Sequence, residues 1–125
     1  MVTRKGRKKT GGKYIKSRKK KKNEMPGQKR IVKLAEDNKR KTKRTLGGNT
    51  KTFLLKGAYI NVHQKGKKSK AQKSKIKNVL ETPSNKFLAR QNILTKGTIV
   101  ETELGKVKVT NRPSQDGVIN GILIE

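Results

Sequence analysis

The sequence predicts an all-β fold, a small antiparallel β-barrel with a long basic N-terminal extension. Three observations carry this. Short runs of period two recur between turn signals from residue 38 onward, the pattern of hairpin-connected strands. One pair of runs, Gly97 to Thr110, sorts charged residues to one face and β-branched residues to the other, as a half-buried hairpin must. Charge also divides the chain. Residues 1–77 hold 29 Lys and Arg against 3 acids, a net of +26, whereas residues 78–125 hold 6 against 5, a net of +1. The expected organisation is a basic arm over 1–37 and a barrel domain over 38–125 with a basic loop at 64–75. The turn spacing predicts about five to seven strands.

The arm comes first in the chain. Residues 2–30 carry Arg4, Lys5, Arg7, Lys8 and Lys9, then Thr10-Gly11-Gly12-Lys13-Tyr14, then Lys16, Arg18 and Lys19 to Lys22. Blocks of like charge repel and do not hold a helix or strand by themselves, which predicts disorder in the unbound chain. Glycines among basic neighbours let the backbone approach phosphates closely. Tyr14 is suited either to stack on an unpaired base or to anchor the arm on the folded part. Lys19 to Lys22 also read as a nuclear localisation signal, and charge alone does not separate that from RNA contact. A P-loop is excluded: five residues rather than four separate Gly6 from Gly12-Lys13, and Tyr14 stands where Ser or Thr binds magnesium.

Met25-Pro26-Gly27-Gln28 is a turn. Lys29 and Arg30 precede Ile31, Leu34 and Ala35, whose spacing is helical for only about two turns, so a strap on the barrel surface is preferred to an independent helix. From Lys39, Arg40, Thr42, Arg44 and Leu46 alternate with Lys41, Lys43 and Thr45 up to Gly47-Gly48-Asn49. Gly-Gly-Asn accepts positive φ and reads as a hairpin turn. The return strand runs from Lys51 through Phe53, Leu54, Leu55, Ala58, Ile60 and Val62, with Gly57 marking a bulge or a barrel corner. Residues 64–75, including Lys67, Lys68 and Lys70, read as a phosphate-facing loop.

Ile76, Val79 and Leu80 resume the strand pattern, which Glu81-Thr82-Pro83-Ser84-Asn85 ends. Arg90-Gln91-Asn92 lies in a short helical turn. The hairpin that follows is expected to turn at Leu104-Gly105, with Glu103 opposite Lys106 and Glu101 opposite Lys108. Its other face sets Val100 and Thr102 against Val109 and Val107. Arg112 to Gly117 is a loop with Pro and Asp-Gly turn chemistry, and Val118 to Ile124 is a last apolar run.

A net charge of +27 with only 29% hydrophobic residues leaves little for a core spanning the whole chain. Such a surplus repels itself unless a polyanion neutralises it, and nucleic acid is the usual one. A Lys-rich tail that merely keeps a protein soluble is the bland alternative, although solubility needs only a modest net charge. There is no cysteine, which excludes disulfides and Cys-type zinc sites. The apolar runs fall far short of the ~20 residues of a membrane span, and no apolar stretch follows the basic N-terminus as in a secretory signal. His63 is the only histidine and has no neighbouring carboxylate, so it reads as a surface or strand-end residue. No catalytic constellation can be assembled. No enzyme activity, cofactor, metal, small-molecule substrate or membrane partner is expected.

These residues also carry a family likeness. The sequence resembles the "eight-e" family of small-subunit ribosomal proteins shared by archaea and eukaryotes. Arg44-Thr45-Leu46-Gly47-Gly48-Asn49-Thr50-Lys51 resembles its signature turn. Asn92 to Gly105 and Thr110 to Asn120 resemble its second and closing blocks, and Gly6 to Tyr14 its opening. The likeness weakens over residues 15–33, where Met25-Pro26-Gly27-Gln28 replaces the family's Gly-Arg-Pro stretch. The compact length is similar to archaeal members, which lack the long eukaryotic insertion. The resemblance implies a cytoplasmic ribosomal protein, not an enzyme, whose barrel sits in small-subunit rRNA through basic extensions. Neighbouring small-subunit proteins are further candidate partners.

The RNA-binding residues so expected are Arg4, Lys5, Arg7, Lys8, Lys9, Lys13, Tyr14, Lys16, Arg18 and Lys19, Lys20, Lys21, Lys22 in the arm. Lys29 and Arg30 follow it. Arg40, Lys41, Lys43, Arg44, Gly47, Gly48, Asn49 and Lys51 lie in the hairpin, and Lys67, Lys68 and Lys70 in the loop. Two rival readings stay open. One is a ribosome-assembly factor sharing the domain, which adds a long N-terminal region for which 125 residues leave no space. The other is a non-ribosomal basic DNA-binding protein, which usually carries dimerisation elements or intercalating wedges.

Overall fold

The computed structural model describes residues 6–13, 18–27, 29–64 and 71–124. Among them the strands form two sheets. In the first, β3 (Thr50–Gly57) is flanked by β2 (Lys39–Arg44), antiparallel, and by β1 (Lys33–Leu34), parallel. The second is a closed barrel of β4 (Tyr59–His63), β5 (Gln72–Glu81), β6 (Ile99–Thr102), β7 (Gly105–Val109) and β8 (Asn120–Leu123), in that order. Consecutive barrel strands are antiparallel. Strands that alternate in direction and are odd in number must close with one parallel seam, and here β8 runs parallel to β4, with Val62 opposite Gly121.

Alternation builds the interior. Val107 and Val109 of β7, Val100 and Thr102 of β6, Ile60 and Val62 of β4, and Ser74, Ile76 and Val79 of β5 are all buried. Leu54, Leu94, Ile119 and Val32 join the same cluster. On each of these strands the intervening positions point outward, which is the period-two geometry of a pleated chain. One helical turn, α1 (Lys86–Arg90), connects β5 towards β6, and the Asn85 side chain caps it by accepting from the Phe87 N–H at 2.9 Å.

The all-β barrel agrees with the sequence reading, and four details differ. The β6–β7 faces are as expected, but the register is shifted by two residues: Glu101 opposes Lys106, Val100 opposes Val107 and Thr102 opposes Gly105. The turn is Glu103-Leu104, closed by the Thr102 hydroxyl, which donates to the Gly105 carbonyl at 2.9 Å and accepts from the Leu104 N–H at 3.3 Å. A shift of two keeps every side chain on its face, so patterning alone does not detect it.

Second, the barrel proper starts at Tyr59 rather than near residue 38, and the β2–β3 hairpin belongs to the other sheet. The chain crosses between the sheets at Gly57, where a Cβ would lie 2.6 Å from Ile119 Cδ1. The irregular pairing falls slightly earlier, between Lys39 and Arg40, which oppose Lys56 and Leu54. Third, β5 begins at Gln72, so the loop expected over 64–75 gives up its last residues to a strand. Its lysines Lys73, Lys75 and Lys77 face outward between buried Ser74 and Ile76; a one-sided strand in a basic setting looks polar throughout. Fourth, the segment after Arg30 is the strap that the sequence favoured, but its buried residue is Val32, while Ile31 is half exposed. The Leu94 N–H donates to Val32 O at 2.9 Å and the Leu34 N–H to Asn92 O at 2.8 Å. This strap is part of the core.

Hydrogen exchange on the free protein should divide along these lines. Amides of β4 to β8 and of Leu34 should be protected. Those of residues 18–27, all exposed, should exchange near the unprotected rate, because burial there is too small to offset ordering entropy. Strong protection of residues 18–22 without RNA would contradict this.

Candidate nucleic-acid interface

The β2–β3 hairpin is the element the cationic residues converge on. Every residue of β2 is exposed. Its register places Lys43 opposite Lys51, Lys41 opposite Phe53 and Arg44 opposite Thr50. Lys43 and Lys51 are like charges directly across a strand pair, which destabilises a sheet in isolation; an anion between them reverses the sign of that interaction.

At its tip, Leu46–Gly48 forms a 3₁₀ turn in which Gly47 and Gly48 have φ of 74° and 78°. Asn49, expected to share the positive φ, is extended instead at φ −68°, ψ 155°. Its carbonyl accepts from the Thr45 N–H at 2.7 Å and from the Thr45 hydroxyl at 3.0 Å, and its amide donates to Leu46 O at 3.4 Å. Asn49 therefore ties the turn by hydrogen bonding, and the glycines supply its left-handed backbone. Gly48 has nothing within 4 Å of a built Cβ, so Gly48→Ala tests backbone strain alone. It should lower stability by about 1–2 kcal/mol, read as a shift in the denaturation midpoint.

Beside the turn opens a cleft of about 430 Å³. Arg30, Lys43, Arg44 and Lys51 line it, together with Thr45, Leu46, Phe53 and Gln115. The Arg30 guanidinium lies over the Phe53 ring, 3.9 Å from its centroid, a stacked cation–π contact. None of these cations is ion-paired among the described residues, where the one ion pair is Arg18 to Glu24 at 2.9 Å. Four uncompensated cations on one concave surface focus a positive field.

The remaining expected residues are spread out. Arg7 and Lys13 bridge a tight turn closed by the Lys8 N–H to Gly12 O bond at 2.8 Å, with Lys9 between them. Lys19 to Lys22 are exposed, and Glu24 orders the end of their segment by accepting from the Lys21 N–H at 3.0 Å as well as from Arg18. Lys29 and Arg40 are exposed beside the strap and on β2, respectively. Arg4, Lys5, Tyr14, Lys16, Lys67, Lys68 and Lys70 lie outside the described residues. His63 ends β4 and is exposed.

Thr45, Leu46, Phe53 and Gln115 were missed as site residues. Phe53 carried a signal, since it is an aromatic residue two positions from Lys51 on a strand. Gln115 carried none; it arrives from the β7–β8 connection, which the Leu54 N–H anchors through Pro113 O at 3.1 Å and Asp116 O at 3.2 Å.

A small closed barrel with a cationic hairpin beside it, without ion pairs among the described residues, defines a basic all-β protein. The chain belongs to the ribosomal protein S8e family, whose model matches residues 2–124. It is similar to the small ribosomal subunit protein eS8 of Staphylothermus marinus, 48% identical over 119 residues that cover 95% of this chain and 92% of that one. It is likewise similar to eS8 of Ignicoccus hospitalis, 51% identical over 117 residues covering 93% and 89%. With eS8 of Nanoarchaeum equitans it shares 47% identity over 116 residues, covering 93% and 90%.

Proposed function

We propose that this protein is a structural component of the small ribosomal subunit, in the cytoplasm, where it binds and stabilises small-subunit rRNA and so supports translation. The observation that carries the reading is the convergence of Arg30, Lys43, Arg44 and Lys51 on one cleft without acidic partners among the described residues. Relatives named as small-subunit proteins agree with it. In this reading the barrel is the rigid platform, and the hairpin presents a fixed cationic surface. The segment before the strap, with Arg7, Lys8, Lys9, Lys13, Arg18 and Lys19 to Lys22, follows the phosphate backbone as an arm. The outward lysines of β5 add positive charge on the barrel wall.

The test is co-sedimentation with small ribosomal subunits at low and high salt. A specific structural protein stays on the particle through moderate salt and leaves only at high salt. An assembly factor would sediment with precursors and not with mature particles. A general nucleic-acid binder would redistribute onto added DNA. Either of the last two results would overturn the reading.

A further inference from the structure

We propose that the cleft beside the β2–β3 turn receives a single unpaired nucleotide extruded from an RNA stem. The inference rests on the RNA-binding reading above and adds which part of an RNA the cleft takes. Three features point to a nucleotide rather than to an intact duplex backbone.

The first is shape. A duplex presents a broad convex ridge of phosphates, which a flat or shallow basic face serves. At about 430 Å³ this half-open cleft is small and local, with a volume within the roughly 300–1,000 Å³ of sites that take one small group. The second is the Arg30–Phe53 stack. The guanidinium is held 3.9 Å from the ring centroid, while Phe53 is only 5% exposed. The ring therefore acts through Arg30, bracing a planar cation, and Arg guanidinium planes are surfaces on which splayed-out RNA bases stack. Phosphate neutralisation alone would not require that plane; a lysine would serve.

The third is Leu46. It sits at the lip of the cleft and is 97% exposed. An apolar side chain left wholly in water at the tip of an ordered turn gains from covering the face of a base, and gains nothing from a hydrated phosphate. Lys43 and Lys51, opposed across the strands, would then hold the phosphate of the inserted nucleotide.

The experiment compares two RNA hairpins of identical stem, one fully paired and one with a single bulged nucleotide, each of the four bases tried in turn. Affinities are measured over a range of salt, and 2-aminopurine at the bulge reports stacking. A free nucleoside monophosphate is the third probe. The wild-type protein should bind the bulged RNA at least about tenfold more tightly and quench 2-aminopurine. Arg30→Lys conserves charge, so it should leave the salt slope unchanged while cutting the bulge preference several-fold. Leu46→Ser, at a site with no packing to lose, should do the same, and an unchanged thermal midpoint shows that both variants are folded. Equal affinity for the two hairpins would overturn the cleft proposal and leave RNA binding intact. Binding of the free nucleotide as tight as that of the bulged RNA would overturn the claim that the nucleotide is part of a strand. Absence of salt-dependent binding to either RNA would instead remove the RNA-binding reading itself.

Discussion

Replacing Gly121 with alanine should lower the stability of the free protein by about 1–3 kcal/mol, and with valine by more, through overpacking. Gly121 lies in β8, where it opposes Val109 on one side and Val62 on the other; it sits in the seam that closes the barrel. A Cβ built there would collide with Val107 Cγ1, and would lie 2.8 Å from Ile60 Cδ1 and 3.0 Å from the Lys108 carbonyl. Val107 and Ile60 are completely buried, and the carbonyl belongs to the ladder of the adjacent strand. None of the three can move without disturbing its own neighbours. A five-stranded barrel has a narrow interior, so the strain spreads to the whole wall. Gly27→Ala is the control, because Gly27 is exposed with nothing within 4 Å of a built Cβ. Urea denaturation followed by circular dichroism reads the difference. An unchanged midpoint for Gly121→Ala would show that the seam is looser than its geometry indicates.

The second large effect concerns how binding divides between arm and hairpin. Replacing Lys19, Lys20, Lys21 and Lys22 with alanine should weaken RNA binding and flatten its salt dependence. Each lost phosphate contact lowers the slope of log K against log salt by roughly 0.7–0.9, so four together should remove about 3. The preference for cognate over scrambled rRNA should hardly change, because these lysines are exposed point charges with no fixed geometry to match a shape. Changing Arg44 and Asn49 should do the reverse. Arg44 is fixed in the ladder opposite Thr50, and Asn49 locks the turn through its carbonyl and amide. Their loss should erode the cognate preference while shifting the slope by about one contact at most. Asn49→Gly distinguishes the roles further. Because Asn49 is extended, glycine there relieves no strain and removes the amide bond to Leu46. If the arm variant loses discrimination and the hairpin variant keeps it, the division runs the other way.

Much of this was legible in the sequence for a definite reason. The inward set Val100, Thr102, Val107 and Val109 could be named because a pleated strand alternates faces, and that rule needs no knowledge of the partner. The Gly-Gly turn was legible because few residues other than glycine accept positive φ. The β6–β7 register was not. Two alignments differing by two residues present the same faces, and the Thr102 hydroxyl decided between them through bonds to the Gly105 and Leu104 backbone. Only the start of strand β5 was hidden, for a related reason: Lys73 and Lys75 flank Ser74, and one buried serine is a faint signal among so many charges.

By itself, then, the sequence determined the fold class, the hairpin turn and the strongly basic character of the protein. All three follow from local patterning and summed charge, which the order of residues states directly. The tertiary structure alone decided that Val32 belongs to the core, that the barrel closes through the parallel β8–β4 seam around Gly121, and that Arg30 and Gln115 meet the β2–β3 hairpin at one cleft. Each of these joins residues far apart in the chain. Such contacts are selected by packing and backbone hydrogen bonding between elements, and neither is encoded in the period or composition of any one segment.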